Sequence, residues 1–263
     1  MKNENLLIVA DSERNADLRY AVGFAVPAAF VYLRLGDRCF AVLPDLELAR
    51  ARRLSRNCRI LSLSAYHRRL RHARHTVIGL AHIIREILHE QRLKKVLVPA
   101  TFPLALARDL RRLKVKLKIK EDPFFPDRQL KSSVEIKRIS AALTMAEVGL
   151  AEGLQALRTA KPGKDRRLVY RNAPLTSEGL RAIIDTAILQ AGGYPSHTTV
   201  AGGRQACDPH EPGRGALRAD EPIVINVISQ SRKTGYHADI TRTAVKGRAS
   251  EAVRNLYETV RRA

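Results

Sequence analysis

Two polar residues interrupt apolar strands in the carboxyl-terminal half of the sequence. Asn226 lies within the apolar run 223–228, and Asp239 lies within a second β-rich run. Because a buried polar group without a partner costs free energy, each side chain is expected to meet a hydrogen-bond network or a metal ion. His210 precedes both in a loop rich in Gly and Pro, where side chains are presented rather than packed. From these residues alone, a structural hydrogen-bond network and a functional site are equally good interpretations.

Predicted strands would position these side chains. Apolar and β-branched residues at 197–201, 222–228 and 236–245 predict strands, which are separated by segments rich in Gly, Pro or Arg and Lys. His237 precedes Asp239 by two residues and therefore shares its strand face. We expect His237 to be an exposed strand residue rather than a metal ligand. We expect His197, near the candidate site, to be structural.

Predicted helices surround these strands. Ser133 is expected to cap a long helix that ends near Pro162, and Thr176 begins a second helix that ends at Gly192. A final helix over residues 250–263 has apolar residues at i, i+3, i+4 and i+7. The packing partner of this apolar stripe is expected to lie elsewhere.

The amino-terminal part predicts an α/β domain, because strand and helix patterns alternate along it. The predicted strands are 6–10, 30–35, 38–43, 59–63, 95–99 and 115–119, and the predicted helices are 45–56, with Asp45 as its cap, 77–88 and 103–113. The segment 121–132 contains two prolines and breaks the periodicity. The sequence therefore predicts one domain at 1–122 and a second at 123–263.

Composition restricts the class of protein. The chain has 263 residues, of which 45% are hydrophobic and 28% charged, so wholesale disorder is excluded. Its longest weakly polar stretch, residues 21–33, is short of the ~20 residues that span a bilayer, and nothing resembles a signal peptide. Cys39, Cys58 and Cys207 are widely spaced and form no CxxC pair, which favours reduced thiols. We expect a cytoplasmic protein without a membrane partner.

Positive charge is concentrated in one segment. The formal net charge is +21, and residues 50–120 contain 20 basic and 3 acidic residues, an excess of +17. Such a field attracts nucleic acid, acidic protein or anionic lipid without any reading of bases. Aromatic residues make up only 5% of the chain and Trp is absent, so stacking platforms for single-stranded nucleic acid are not evident. Solvated helix faces are an equally good explanation of the charge.

The sequence resembles the pita-bread metallopeptidase family, which includes Xaa-Pro aminopeptidases, prolidases, creatinase and methionine aminopeptidases. The resemblance covers nearly the whole chain and is carried by KSSVEIKRISAALTMAEVGL, LTSEGLRAIIDTAILQAGGYPSHTTVAGG, CDPHEPGRGALRADEPIVIN and TGYHADITRT. The earlier segment ADSERNADLRYAVGF resembles the domain that precedes the catalytic domain in creatinase-type members. The implied fold class is an α/β amino-terminal creatinase-like domain followed by the first half of an α+β pita-bread domain.

The resemblance also implies a site. Asp239 matches the aspartate that bridges two divalent ions, Mn, Co or Zn, in intact relatives, and His210 matches the histidine that contacts substrate near the scissile bond. Asn226 falls where the family has its first metal-binding aspartate. An amide supplies one neutral oxygen in place of a carboxylate, so metal affinity should fall sharply. The implied partners are a peptide with proline at its second position and, since relatives often dimerise, a second copy of the chain.

The family's second half-domain supplies a His and two Glu ligands, and the sequence ends at Ala263 before any of them. We therefore expect a C-terminally truncated Xaa-Pro aminopeptidase-like or prolidase-like hydrolase that is impaired or inactive. The alternative is a non-catalytic module of the same fold that binds an acidic partner or RNA through residues 50–120. A third interpretation is an unstable product of a shortened reading frame.

Overall fold

The computed structural model describes residues 4–55, 58–72 and 78–263. The chain divides into two compact units, with unit 1 ending at Leu130 and unit 2 beginning at Lys131. This division lies within the proline-containing segment 121–132. In the part of the chain that is described, no helix is long and apolar enough to cross a membrane.

Unit 1 is built on a six-stranded sheet with the order β4-β3-β2-β1-β5-β6. Strand β2 runs antiparallel to both of its neighbours, and the other pairings are parallel. The strands are β1 (Leu6–Ala10), β2 (Phe30–Leu35), β3 (Arg38–Leu43), β4 (Cys58–Ser62), β5 (Lys95–Pro99) and β6 (Lys116–Lys120). Each strand lies within one residue of the range that the apolar pattern predicts.

Helices cover both faces of this sheet. They are α1 (Ala16–Val22), α2 (Asp45–Leu54), α3 (Leu63–His72), α4 (Leu80–Glu90) and α5 (Leu104–Arg112). One core cluster joins Leu33 and Val96 of the sheet to Ile84 of α4, and a second joins Phe30 to Leu18 of α1. The period-2 alternation of the strands divides their apolar residues between these two clusters.

Three details of unit 1 differ from the sequence prediction, and the first is helix α1, which was not predicted. Asp45 does not cap α2, because Pro44 occupies the N-cap position and the Asp45 carboxylate accepts hydrogen bonds from the hydroxyl groups of Ser62 and Ser64. Helix α3 was not predicted, since its apolar residues are few among Arg and His. Helix α4 was predicted from residue 77, and the predicted start at Val77 and the predicted end of α2 at Arg56 lie outside the described residues.

Unit 2 packs two helices against one face of an antiparallel three-stranded sheet, with the order β10-β11-β12. Its main elements are α6 (Ser133–Thr159), α7 (Ser177–Gln190), β10 (Gly193–Gly202), β11 (Pro222–Ser231), β12 (His237–Val245) and α8 (Glu251–Arg262). A small sheet of β7 (Lys161–Pro162), β8 (Leu168–Tyr170) and β9 (Ala173–Pro174), which was not predicted, connects α6 to α7.

Small residues let α6 approach α7 closely. A Cβ atom at Gly149 would lie 2.6 Å from Ile188, and one at Gly153 would lie 2.7 Å from Ile184. The predicted cap of α6 at Ser133 is wrong by one residue. Ser132 is the N-cap, and it forms a capping box with Glu135.

Helix α8 exposes the apolar stripe that the sequence predicts. Leu256, Tyr257 and Val260 are 67%, 57% and 69% exposed. Ser250 caps the helix by accepting a hydrogen bond from the backbone N–H of Val253. The stripe is therefore open to solvent in this chain.

Candidate functional site

The two faces of β11 have different environments. Ile223, Ile225 and Val227 are buried in the core cluster that contains α6 and α7 residues. Asn226 alternates with them, so its side chain lies on the opposite face of the sheet and is half-buried. Asn226 and Asp239 therefore lie outside this core, with Asn226 half-buried and Asp239 exposed. The apolar residues Val224 and Ile228 share the open face with Asn226 and hide the alternation in the sequence.

The open face brings Asn226 and Asp239 together. In the β11–β12 register, Asn226 is paired with Thr241, and Ile228 is paired with Asp239. The Asn226 amide nitrogen donates hydrogen bonds to Asp239 Oδ1 at 2.6 Å and to Thr241 Oγ1 at 2.8 Å. Because a carboxylate only accepts, Asp239 fixes the orientation of the amide, and both amide hydrogens are used. Thr241 was not predicted as part of this site, although its spacing of two residues from Asp239 places it on the same strand face.

The histidines near this pair have separate environments. The ring nitrogen Nε2 of His237 lies 2.9 Å from Nε2 of Gln230, with which His237 is paired across the strands. His197 is paired with Ile228 from the β10 side, and it follows an irregularity in the register after Pro195. Both side chains are exposed.

His210 lies in the loop that precedes β11. Its side chain is exposed, and its backbone N–H donates to Asp208 Oδ1 at 2.9 Å. The loop is anchored to β10, since the backbone N–H of Val200 donates to the carbonyl oxygen of Pro212 at 3.0 Å. Among the described residues, the hydrogen bonds that join Asn226 to Asp239 do not extend to His210.

The donor set at this face does not fit a pair of divalent ions. In the described ranges, no three His, Cys, Asp or Glu side chains lie close enough to hold a metal ion. Asp239 contributes a single carboxylate, and the Asn226 amide directs N–H groups rather than its oxygen at that carboxylate. The amide hydrogens therefore take the place that a cation would fill beside Asp239.

Comparisons with known proteins agree on the fold. Residues 137–263 match the model of metallopeptidase family M24. No curated protein matches the chain at a significant level. The structures of a prolidase from Pyrococcus furiosus, an X-Pro aminopeptidase from Thermotoga maritima MSB8 and an Xaa-Pro dipeptidase from Bacillus anthracis resemble this chain with TM-scores of 0.71, 0.73 and 0.72.

These structures share 18%, 16% and 17% sequence identity with this chain and align with 98%, 100% and 98% of it. At this identity the likeness shows a common fold. The aligned part makes up 67%, 68% and 64% of their own chains, so this chain spans about two thirds of their length.

Proposed function

We propose that the chain is a prolidase-like or Xaa-Pro aminopeptidase-like hydrolase with impaired or absent activity, because residues 137–263 match the model of metallopeptidase family M24. The substrate class is a peptide with proline at its second position. Three structural neighbours, a prolidase, an X-Pro aminopeptidase and an Xaa-Pro dipeptidase, support this choice of substrate.

The proposed roles follow the family pattern. Asp239 would be a carboxylate ligand of the divalent ions, Asn226 would stand in place of the first aspartate ligand, and His210 would contact the substrate. In an intact family member, the ions supply activation of water. The described residues of this chain do not support such an activation, because one carboxylate alone remains at the pair.

One observation carries the proposal: the 2.6 Å hydrogen bond from the Asn226 amide to Asp239 Oδ1. A bound cation would have to displace this N–H group and would gain one neutral oxygen in exchange. An aspartate at position 226 would restore the second negative charge. It would also place two carboxylates within contact distance, which is unfavourable without a cation.

The test compares wild-type protein with Asn226→Asp, Asp239→Asn and the matched control Asn255→Asp, which makes the same change on the exposed surface of α8. Without metal, N226D should have a lower melting temperature than wild type. Added Mn²⁺ should raise the melting temperature of N226D toward the wild-type value. Mn²⁺ should bind N226D at least tenfold more tightly than wild type in equilibrium dialysis. Wild type, D239N and N255D should show no such gain.

Activity is measured on the dipeptide Ala-Pro with Mn²⁺ present. We expect wild-type hydrolysis at the level of the enzyme-free blank. Hydrolysis by wild type that D239N abolishes would overturn the proposed impairment. Equal Mn²⁺ affinity of N226D and wild type would contradict the assignment of position 226 as a ligand position.

A second candidate function is the binding of a polyanion by unit 1. Along α5, Arg108, Arg111 and Arg112 are exposed, and Lys116 and Lys118 are exposed on the following strand β6. Leu104, at the start of α5, is 83% exposed beside the same arginines. This clustering of exposed cations favours an acidic ligand over a random distribution of surface charge.

A further inference from the structure

Four side chains form a row across three neighbouring strands of unit 1. In the β3–β4 register, Cys39 is paired directly with Cys58, and in the β2–β3 register Cys39 is paired with Arg34. The Tyr32 hydroxyl lies 3.5 Å from Cys39 Sγ. Directly paired residues point to the same face of a sheet, so both thiols and the guanidinium group share one face. Both cysteines are half-buried rather than enclosed.

The surroundings distinguish the two thiols. A hydrogen bond from the Cys58 thiol, a further one from the Tyr32 hydroxyl and the charge of Arg34 lower the pKa of the Cys39 thiol to about 6, against the opposing effect of burial. The hydrogen bond with Cys39, together with burial, raises the pKa of Cys58, and burial raises the pKa of Tyr32. Because Arg34 is paired with Cys39 and the Tyr32 hydroxyl lies beside its sulfur, Cys39 is the thiol of the pair that ionises more readily.

The positions of the strands allow the two sulfurs to be joined. Neighbouring strands lie about 4.8 Å apart, and disulfides link Cα atoms that are about 4.4–6.8 Å apart. Strand β4 is the edge of the sheet and pairs only with β3, so it can shift without breaking a second ladder. Ser55 holds the backbone of Cys58 by donating to its carbonyl oxygen and accepting from its N–H, both at 3.1 Å.

We propose that Cys39 and Cys58 form a redox-active pair that reduces a hydroperoxide and closes as a disulfide between β3 and β4. The Cys39 thiolate attacks the terminal oxygen of the hydroperoxide, the O–O bond breaks, and the leaving oxygen takes up a proton as water or an alcohol. Cys39 is then a sulfenic acid. The Cys58 sulfur attacks the Cys39 sulfur, and the hydroxyl group leaves with a proton as water. Two thiols are oxidised by two electrons, and one peroxide bond is reduced.

The test uses the full chain, treated with hydrogen peroxide and analysed by peptide mass mapping. Wild type should lose two hydrogens in a peptide pair that joins Cys39 to Cys58, and a dithiol should reverse this loss. Cys58→Ser should stop at a sulfenic acid on Cys39 that dimedone traps. Cys39→Ser should slow the oxidation of Cys58 at least tenfold. Cys207→Ser, which removes an exposed cysteine of unit 2, should leave the Cys39–Cys58 linkage unchanged.

A second measurement does not depend on disulfide closure. The rate of Cys39 alkylation by iodoacetamide, followed against pH, should show an inflection well below the ordinary thiol value of about 8.5. Arg34→Gln should move this inflection to higher pH. Arg34→Lys, which keeps the positive charge, should leave the inflection between those of wild type and R34Q. An inflection at the ordinary value would overturn the proposal. So would oxidation of Cys58 by peroxide at the same rate in wild type and in C39S.

Discussion

At the scale of single residues, two hydrogen bonds fix the Asn226 amide on the open face of the β10–β12 sheet. Asn226 differs from aspartate by one NH₂ group in place of an oxygen. This exchange replaces an anionic oxygen, which can bind a cation, with a hydrogen-bond donor. The donor is satisfied by Asp239 and Thr241 at 2.6 and 2.8 Å. The pair is therefore stable as a hydrogen-bond network in its own right.

A glycine in the loop of His210 gives a prediction at the same scale. Gly213 has a φ of +82°, and a Cβ atom there would lie 1.7 Å from the carbonyl oxygen of Val200. Gly213→Ala should therefore lower the free energy of unfolding by about 2–4 kcal/mol, as strained or overpacked sites do. The measurement is urea denaturation followed by circular dichroism.

The matched control is Gly215→Ala in the same loop. Gly215 has a similar φ of +75°, but a Cβ atom there would meet nothing within 4 Å. This variant should lose only about 1 kcal/mol, the cost of the left-handed backbone. Equal losses in G213A and G215A would show that the loop does not press against β10.

The sequence predicts that these polar residues have partners better than it predicts which face of the sheet they occupy. Asn226 and Asp239 lie within apolar strands, so the sequence predicts that each has a polar partner. In the structure, each is hydrogen-bonded to the other. Their location on the open face could not be read from the sequence, because Val224 and Ile228 make the run continuously apolar. The closeness of Cys39 and Cys58 was equally hidden, since it depends on the parallel register of strands far apart in the chain.

At the scale of elements, the amino-terminal end of α6 is tied to the β11–β12 hairpin. Glu135 accepts hydrogen bonds from the Ser132 backbone N–H at 2.9 Å and from the Tyr236 hydroxyl at 2.9 Å. The Ser132 backbone bond is the largest of the contacts that hold the pKa of Glu135 below its ordinary value of 4.5. The carboxylate thus joins two elements of unit 2.

This contact predicts a pH dependence of stability. Because the folded pKa of Glu135 is lowered, its ionised form contributes stability that is fully present above the unfolded pKa and is lost as pH falls through the folded pKa. Glu135→Gln should therefore be less stable than wild type at pH 7, and this difference should shrink steadily below about pH 5. Denaturant unfolding at pH values from 7 to 3 measures both curves.

Glu147→Gln provides the control on the same helix. Glu147 is exposed in the middle of α6, away from the capping position. Its difference from wild type should change little over the same pH range. A difference for E135Q that is constant with pH would show that the Glu135 carboxylate does not stabilise the folded state.

Regular elements were predicted well where apolar residues follow a clear pattern, on one face in α6 and α7 and on both faces in most strands of the unit 1 sheet. Two of the failures have a common cause. Helix α3 and the small sheet β7–β9 are rich in charged or turn residues, so tertiary contacts rather than local periodicity decide their structure. The position of the cap on α6 differs by one residue because Ser132 and Ser133 are chemically equivalent, and the reciprocal bond from Glu135 selects the first.

At the scale of the whole molecule, the charge is unevenly divided between the units. Residues 50–120, all in unit 1, have a formal excess of +17, whereas residues 121–263 contain 22 basic and 16 acidic residues. The pattern break at the two prolines of 121–132 predicts a boundary after residue 122, whereas the compact units divide after Leu130. The sequence does not identify what the positive charge binds, because net charge describes a general attraction to anions and does not specify a partner.

This asymmetry predicts salt-dependent binding of a polyanion by unit 1. Each phosphate that a Lys or Arg neutralises releases a counterion, so the logarithm of the affinity should fall linearly with the logarithm of the salt concentration. We expect a single-stranded RNA probe to bind the full chain at 50 mM salt and to lose at least tenfold in affinity at 200 mM. The measurement is fluorescence anisotropy over that range.

The charge cluster on α5 supplies the decisive variants. Replacing Arg108, Arg111 and Arg112 with Gln should weaken RNA binding and reduce the salt slope by up to about 2, since each lost contact with a single strand removes about 0.7. Replacing three exposed arginines of unit 2 with Gln, at Arg242, Arg254 and Arg261, removes the same charge. Equal slopes for the two triple variants would mean that net charge alone attracts the probe, whereas a smaller slope only for the α5 variant locates the binding surface.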